Sequence, residues 1–381
     1  MNLLITGANG FMGRNLCQTL AARGDKLFPI DVDTPRAVLE SAAHEADFVF
    51  HLAGINRPKD EAEFETGNAG FTETLLALLE SGRKPPVLLS GSIQAELDNP
   101  YGRSKHHAEM AVAAYGDRTG AMVYRYRLPN AFGKWSRPHY NSAVATFCYQ
   151  IARGLPVTVS DPERRLRLVY IDDIVQEFIR ALDGTATPGE GGFYQVLPEH
   201  EATLRQLVET LQSFYTSRDS LNLPDTSDPL TRKLLATYLS FLPEDQFAYR
   251  PITHADARGS FTELMHMAGY GQMSVNVSKP HACKGEHWHH TKHEKFIVVS
   301  GRGIIRLRNI CESEILLYPV DGEQLTVVDI PPGYTHNIEN LGDTDMVTLM
   351  WASDVFDPAV PDTWRQPVQI VQEGTAQPCQ N

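Results

Sequence analysis

Short β-rich apolar runs alternate with amphipathic segments through the first half of the chain. Leu3-Leu4-Ile5, Lys26-Leu27-Phe28-Pro29-Ile30, residues 47–52, Val87-Leu88-Leu89 and residues 122–126 read as strands. Between them, residues 14–23, 71–80 and 105–115 place apolar positions at helical spacing. The alternation predicts βαβ units and an α/β, doubly wound parallel sheet with helices on both faces. After about residue 240 the pattern changes. Helical stretches at 204–214 and 230–242 give way to Pro243-Glu244-Asp245, and beyond it short alternating strands are separated by Gly, Pro and Asn turns. Two domains are expected, 1–243 and 244–381, the second all-β. The tail from Val368 onward is polar and Gln-rich and is expected to fray.

The length of 381 residues suits two cores better than one. No apolar run is long enough to span a bilayer, and the chain opens directly on a strand, so a cytoplasmic protein is expected. A formal charge of −13 without a basic block disfavours nucleic acid and anionic membranes as partners and favours small molecules. The five cysteines, Cys17, Cys148, Cys283, Cys311 and Cys379, form no Cys-x-x-Cys pair and read as reduced structural thiols.

Thr6-Gly7-Ala8-Asn9-Gly10-Phe11-Met12-Gly13 follows the first strand and opens a helix. Glycines there allow a tight turn and let a pyrophosphate approach backbone N–H groups at a helix N-terminus, as in a Rossmann-type site. Gly7, Asn9, Gly10, Phe11, Met12 and Gly13 are therefore candidate cofactor contacts. Asp31 ends the second strand eighteen positions past Gly13, where an acid bonds the ribose. It would repel the 2′-phosphate of NADPH, which Arg14 and Arg36 would attract, so NADPH and NADH both stand.

The Gly-x-x-Gly-x-x-Gly spacing resembles the extended, sugar-nucleotide-modifying branch of the short-chain dehydrogenase/reductases. Further matches follow in order: His51-Leu52-Ala53-Gly54, Asn68, Leu88-Leu89-Ser90-Gly91-Ser92, Tyr101-Gly102-Arg103-Ser104-Lys105, Arg127-Leu128-Pro129-Asn130-Ala131-Phe132-Gly133 and Tyr170-Ile171-Asp172-Asp173-Ile174. The resemblance implies that Leu52, Ala53 and Gly54 border the cofactor. It also implies that Ser92, with Ser90 the alternative, holds a substrate carbonyl. Four residues apart on a helix, Tyr101 and Lys105 share a face. The ammonium is thus expected to lower the phenol pKa and to reach the nicotinamide ribose, while Tyr101 gives a proton to a carbonyl oxygen as hydride arrives.

The second half concentrates histidines in residues 281–293. On a strand, His287 and His289 point to one face; Glu294 and His336 supply a third and a fourth metal ligand. His287, His289, Glu294 and Gly301, then Pro331, Gly333, His336 and Asn340, resemble the two motifs of cupin (jelly-roll) barrels, although His281 and Leu325 stand where the motifs begin with glycine. His290 and His293 are expected outside the metal's ligands. Asp256-Ala257-Arg258-Gly259-Ser260-Phe261-Thr262-Glu263 resembles an element of the dTDP-4-keto-6-deoxyhexose epimerases, by which His287 is a base rather than a ligand.

The order of the two domains, with stretches such as Asn56-Arg57-Pro58, Phe132-Gly133-Lys134-Trp135 and residues 287–292 and 333–348, resembles the bifunctional capsular polysaccharide synthesis enzymes over nearly the whole chain. That resemblance implies bound Zn²⁺ and C3 epimerisation of a UDP-2-acetamido-2,6-dideoxy-4-hexulose. NADPH reduction at C4 would then yield a UDP-6-deoxy-L-talosamine derivative on the way to UDP-N-acetyl-L-fucosamine, in a homodimer. The alternative is a plain 4-keto-sugar-nucleotide reductase carrying a structural or regulatory metal-binding cupin.

Overall fold

The computed structural model describes residues 1–369. The chain forms two compact units, Met1–Tyr215 with Thr226–Glu244, and Thr216–Asp225 with the described chain from Asp245 on. The segment Thr216–Asp225 is assigned to the second unit, unlike the cut expected from hydrophobic pattern. Main-chain pairing holds it there: Leu223 N–H bonds His266 O at 2.8 Å and His266 N–H bonds Leu221 O at 2.8 Å.

In the first unit β1 (Asn2–Thr6), α1 (Phe11–Arg23), β2 (Lys26–Ile30), α2 (Arg36–Glu45) and β3 (Phe48–His51) lead to α3 (Ala62–Phe64) and a π-helical turn, Glu65–Gly70. Then come α4 (Phe71–Ser81), β4 (Val87–Ser92), α5 (Pro100–Thr119) and β5 (Val123–Leu128). The sheet order is β2-β1-β3-β4-β5 with parallel pairing throughout, a Rossmann-type sheet. Its strands are apolar on both faces because helices cover both. Leu3, Ile5, Phe50 and Leu88 join a core with Leu16 and Leu20 of α1. Leu4, Val49 and Leu89, one residue out of phase, join Leu75 and Leu79 of α4 and Val112 and Tyr115 of α5. Each such fully buried side chain contributes about 1.5–3 kcal/mol.

The unit continues with β6 (Asn130–Phe132), α6 (Ala143–Ile151), β7 (Arg165–Tyr170), α7 (Ile171–Leu182), β8 (His200–Thr203), α8 (Leu204–Ser220) and α9 (Pro229–Leu239). Strands β6, β7 and β8 form a separate three-stranded sheet. Phe132, Phe147, Leu211 and Phe214 help build the core beneath it.

The second unit is all-β: β9 (Thr253–Asp256), β10 (Gly259–Met267), β11 (Gly271–Ser278), β12 (Cys283–Trp288), β13 (Glu294–Ser300), β14 (Arg302–Asn309), β15 (Ile315–Asp321), β16 (Val327–Ile330), β17 (Tyr334–Asn340), β18 (Met346–Ala352) and β19 (Trp364–Arg365). They make two sheets, β16-β13-β18-β11-β10-β9 and β15-β14-β17-β12-β19. Both contribute to one core through Phe296, Val298, Ile305, Leu307, Ile338 and Met346.

Val368, where fraying was expected to begin, is instead fully buried. Its N–H bonds Glu286 Oε2 at 2.6 Å and its carbonyl accepts from Arg308 Nε at 2.8 Å. The tail from residue 370 on, Cys379 included, lies outside the described residues. Cys17, Cys148 and Cys311 are free thiols. Among the described residues no helix is long and apolar enough to cross a membrane.

Candidate active site and metal centre

The glycine loop joins the end of β1 to the start of α1. Gly7 has φ +68°, and a Cβ there would lie 2.8 Å from Ala53 N, so only glycine lets the loop close on the end of β3. Gly10 caps α1, where Phe11, Met12 and Gly13 form the first turn. Asn9 presents its N–H to Asp31 Oδ2 at 2.8 Å, so Asp31, one residue beyond β2, faces the loop. An adjoining cleft of about 350 Å³ is lined by Asn9, Arg14, Cys17 and Trp135 among others. Arg14 thus borders the loop, whereas Arg36 is paired with Glu40 at 2.8 Å.

Beneath the loop lies a buried polar relay. Thr6 Oγ1 accepts Ala53 N–H at 3.2 Å and meets His51 Nδ1 at 2.7 Å; His51 Nε2 meets Thr72 Oγ1 at 2.8 Å, and Thr72 donates to Asn68 O at 2.6 Å. Because Thr72 spends its proton on a carbonyl, His51 Nε2 carries the hydrogen toward Thr72 and Nδ1 accepts from Thr6. One neutral tautomer satisfies every group. Burial, with the Lys105 charge adding to it, drives the imidazole down to about 3. Asn68, in the π-helical turn, also ties down the chain after Gly54 by exchanging bonds with Ile55 N and O at 2.8 and 3.1 Å.

Helix α5 starts where Asn99 accepts Gly102 N–H at 2.8 Å and Pro100 follows it. This places Tyr101 in the first turn and Lys105 a turn later. Arg127 on β5 holds the helix through Glu109, 2.8 Å away. Lys105 is buried, with its ammonium so close to Gly54 that a Cβ there would lie 2.7 Å from Nζ. Burial lowers Lys105 to about 8, against an opposing pull from Glu109. The Tyr101 phenol is raised by burial, with the Ser92 hydroxyl pulling the other way. Desolvation is the largest influence on the phenol, a contribution that the pairing with Lys105 alone does not anticipate. Ser92 stands at the end of β4 with Tyr101 in reach, while Ser90 is buried inside the strand.

In the second unit His287, His289, Glu294 and His336 each offer one ligand atom, and these atoms lie within 4.8 Å of one another. A bulge in β12 between Gly285 and His287, with Glu286 at φ +62°, re-aims the strand so that His287 registers against His336 of β17. Glu294 opens β13, and its Oε2 is 3.3 Å from His289 Nε2 and 3.2 Å from His336 Nε2. The His336 ring is fully buried; Glu294 is the group beside its Nε2, and its Nδ1 has no hydrogen-bond partner among the described residues. Burial acts to raise the Glu294 carboxyl, yet the contacts of His289 and His336 hold it well below the ordinary range. His287, the one member not fully buried, is brought to about 3 by burial and by His336. An ionised carboxylate beside the His287 imidazole, whose protonation burial opposes, suits a divalent cation, and the buried, unpartnered His336 Nδ1 marks polar capacity the protein itself leaves unused. His290 packs on Trp288 and Trp364, and His293 on Trp351, outside this group.

The sequence reading missed two contributions. The Thr6–His51–Thr72 relay was not foreseen, although Thr6 and His51 lay in quoted motifs. Asp362, which reaches His289 from 73 positions away, carried no local signal.

The model of the NAD dependent epimerase/dehydratase family matches residues 3–196, and that of the polysaccharide biosynthesis C-terminal domain matches residues 254–364. A UDP-2-acetamido-2,6-beta-L-arabino-hexul-4-ose reductase of Pseudomonas aeruginosa is 44% identical over 96% of this chain and 98% of its own length. The crystal structure of the capsular polysaccharide assembling protein CapF of Staphylococcus aureus superposes with a TM-score of 0.92 at 48% identity, covering 97% of this chain and all of that one. A Thermus thermophilus UDP-glucose 4-epimerase in complex with NAD, at 18% identity and a TM-score of 0.52, covers 63% of this chain and 99% of its own and shares the fold of the first unit. With family models matched in both units and relatives aligned along nearly their whole length, the chain belongs to the NAD dependent epimerase/dehydratase family, in the CapF-like group that carries a polysaccharide biosynthesis C-terminal domain.

Proposed function

We propose that the chain is a bifunctional enzyme of capsular or surface polysaccharide synthesis acting on a UDP-linked 4-keto-6-deoxy amino sugar. Its second unit is a cupin that holds a divalent cation, Zn²⁺ by preference, and epimerises C3 of UDP-2-acetamido-2,6-dideoxy-4-hexulose. Its first unit reduces the C4 ketone with NADPH to a UDP-6-deoxy-L-talosamine derivative, en route to UDP-N-acetyl-L-fucosamine. The observation that carries this reading is the coexistence of two donor sets in one chain: Ser92, Tyr101 and Lys105 beside a glycine loop, and His287, His289, Glu294 and His336 converging within 4.8 Å. One functional group unites them. A 4-ketone acidifies the neighbouring C3–H and is itself what a hydride donor reduces.

Bound nicotinamide supplies the hydride, and a bound cation supplies Lewis-acid polarisation of a carbonyl. The chain's own residues do the rest. Ser92 holds the ketone oxygen, and Tyr101 passes its phenolic proton to that oxygen as the carbon accepts hydride, leaving the alcohol. A phenol raised by burial keeps its proton until the oxygen becomes strongly basic. Lys105, beside Gly54, is set to bond the nicotinamide ribose. His289, Glu294 and His336 form the buried part of the cation site, and His287 completes it on the less buried side.

The testing experiment is proton–deuterium exchange at C3 of the UDP-4-keto sugar in D₂O without nicotinamide. Exchange kept by Tyr101→Phe and lost by His287→Ala is the expected result. A His287→Ala protein that retains its cation but loses exchange would make His287 the base instead of a ligand. Ketone reduction by a wild type that exchanges no C3 proton would leave a plain reductase with a structural metal domain.

A further inference from the structure

The turn between the cluster's histidine strand and Glu294 is held from outside itself. Asp362 stands just before β19, the short strand that pairs along β12 at His287 and Trp288. Its backbone carbonyl accepts a hydrogen bond from His289 Nδ1. Its carboxylate collects His290 N–H at 2.8 Å, Thr291 N–H at 2.8 Å, Lys292 N–H at 3.0 Å and the Thr291 hydroxyl at 3.1 Å.

A carbonyl can only accept, so this contact puts a hydrogen of His289 on Nδ1 and, in the neutral ring a metal ligand needs, leaves the lone pair on Nε2. That lone pair then faces Glu294 Oε2 at 3.3 Å. The remainder of the strap is anchored independently: Gln366 N–H bonds Glu286 O at 3.0 Å, Val368 N–H bonds the Glu286 carboxylate, and the buried Arg308 grips the carbonyls of Pro367 and Val368 at 2.9 and 2.8 Å. Asp362 is thus itself held in place while it holds the turn.

We propose that Asp362 is a positioning residue of the cation site: it fixes the tautomer and aim of His289 through its carbonyl and the path from His289 to Glu294 through its carboxylate. This rests on the metal reading of the cluster. Supporting contacts of this kind change metal affinity by about 10–100-fold.

The test uses the full chain. The Zn²⁺ dissociation constant is measured by competition with a chromophoric chelator, and the visible spectrum of the Co²⁺-loaded protein reports coordination geometry. Asp362→Ala is expected to bind Zn²⁺ about 10–100-fold more weakly and to alter the Co²⁺ spectrum. Ile305→Val, in the same core but touching no ligand, is expected to lower the melting temperature alone. If Asp362→Ala does not fold, Asp362→Asn takes its place; it keeps one acceptor oxygen and is expected to weaken Zn²⁺ less while still changing the spectrum. Zn²⁺ affinity and a Co²⁺ spectrum equal to wild type in the folded variant would overturn the positioning role alone. A wild type that binds no Zn²⁺ would overturn the metal reading and this one with it.

Discussion

Burial acts on both sites and loses in only one of them. Around the glycine loop it prevails: Lys105 falls to about 8 and Tyr101 rises, because no neighbour supplies enough opposing charge. In the histidine cluster it is outweighed: Glu294 stays ionised against its own desolvation because two imidazoles converge on it. The first site is electrostatically incomplete without an anionic, hydrogen-bonding ligand, whereas the second already holds an ionised carboxylate for a cation. A site of the first kind is expected to respond to cofactor and pH, and one of the second kind to metal removal.

The sharpest break of that comparison separates the chemistries by mutation. Tyr101→Phe removes the proton donor and is expected to lower ketone reduction by about 10²–10⁴-fold, followed as NADPH oxidation. Zn²⁺ content should stay at its wild-type value. His336→Ala deletes a ligand instead of a supporting contact and is expected to weaken Zn²⁺ by more than about 100-fold. Cofactor binding by that variant should be unchanged. Metal loss in Tyr101→Phe, or cofactor loss in His336→Ala, would mean that the two sites are not independent.

What could be read ahead of the structure was whatever a short period encodes. The Gly7–Gly13 loop sits between a strand and a helix that announce themselves by pattern, and the spacing of Tyr101 and Lys105 is one helical turn. The ligand set is local too, with His287, His289 and Glu294 inside a single strand-turn-strand. Desolvation was not legible, because it depends on which side chains from distant segments close over a group. The rise of the Tyr101 phenol on burial is of this kind. Asp362 was invisible for a related reason: its partners in the turn are seventy or more positions away in sequence. The same holds for residues 216–225, whose place in the second unit depends on main-chain bonds to His266 rather than on any apolar pattern. Val368, in a polar tail, is buried because Glu286 and Arg308 offer partners to its backbone.

A pH titration tests the first site's incompleteness directly. Lys105 is held at about 8 in the folded chain against an ordinary 10.5. Between those values the unfolded chain binds more protons, so this residue's contribution to stability rises with pH across that window. Activity should move the other way. If the ammonium is needed, kcat/KM for ketone reduction falls above about pH 8, approaching tenfold per pH unit. A profile flat to pH 10 would mean that Lys105 does not act as a cation. The cation cluster, by contrast, should lose Zn²⁺ on the acid side, where its imidazoles and Glu294 take up protons.

The smallest expected effect concerns the choice between NADPH and NADH. Asp31 lies beside the loop with one carboxylate oxygen on Asn9 N–H and the other on Val32 N–H, both at 2.8 Å. Its charge would favour a ribose hydroxyl over a 2′-phosphate, while Arg14 on the adjoining cleft would favour the phosphate. Asp31→Asn keeps an acceptor for the Asn9 N–H while removing the charge and the acceptor for Val32 N–H. The ratio of kcat/KM for NADPH over NADH is then expected to rise by about tenfold, the scale of one charge-assisted hydrogen bond. Arg14→Gln should shift the ratio the opposite way. If neither variant moves it, the phosphate is read elsewhere, and the first site depends on a bound ligand for its charge balance but not for its selectivity at this loop.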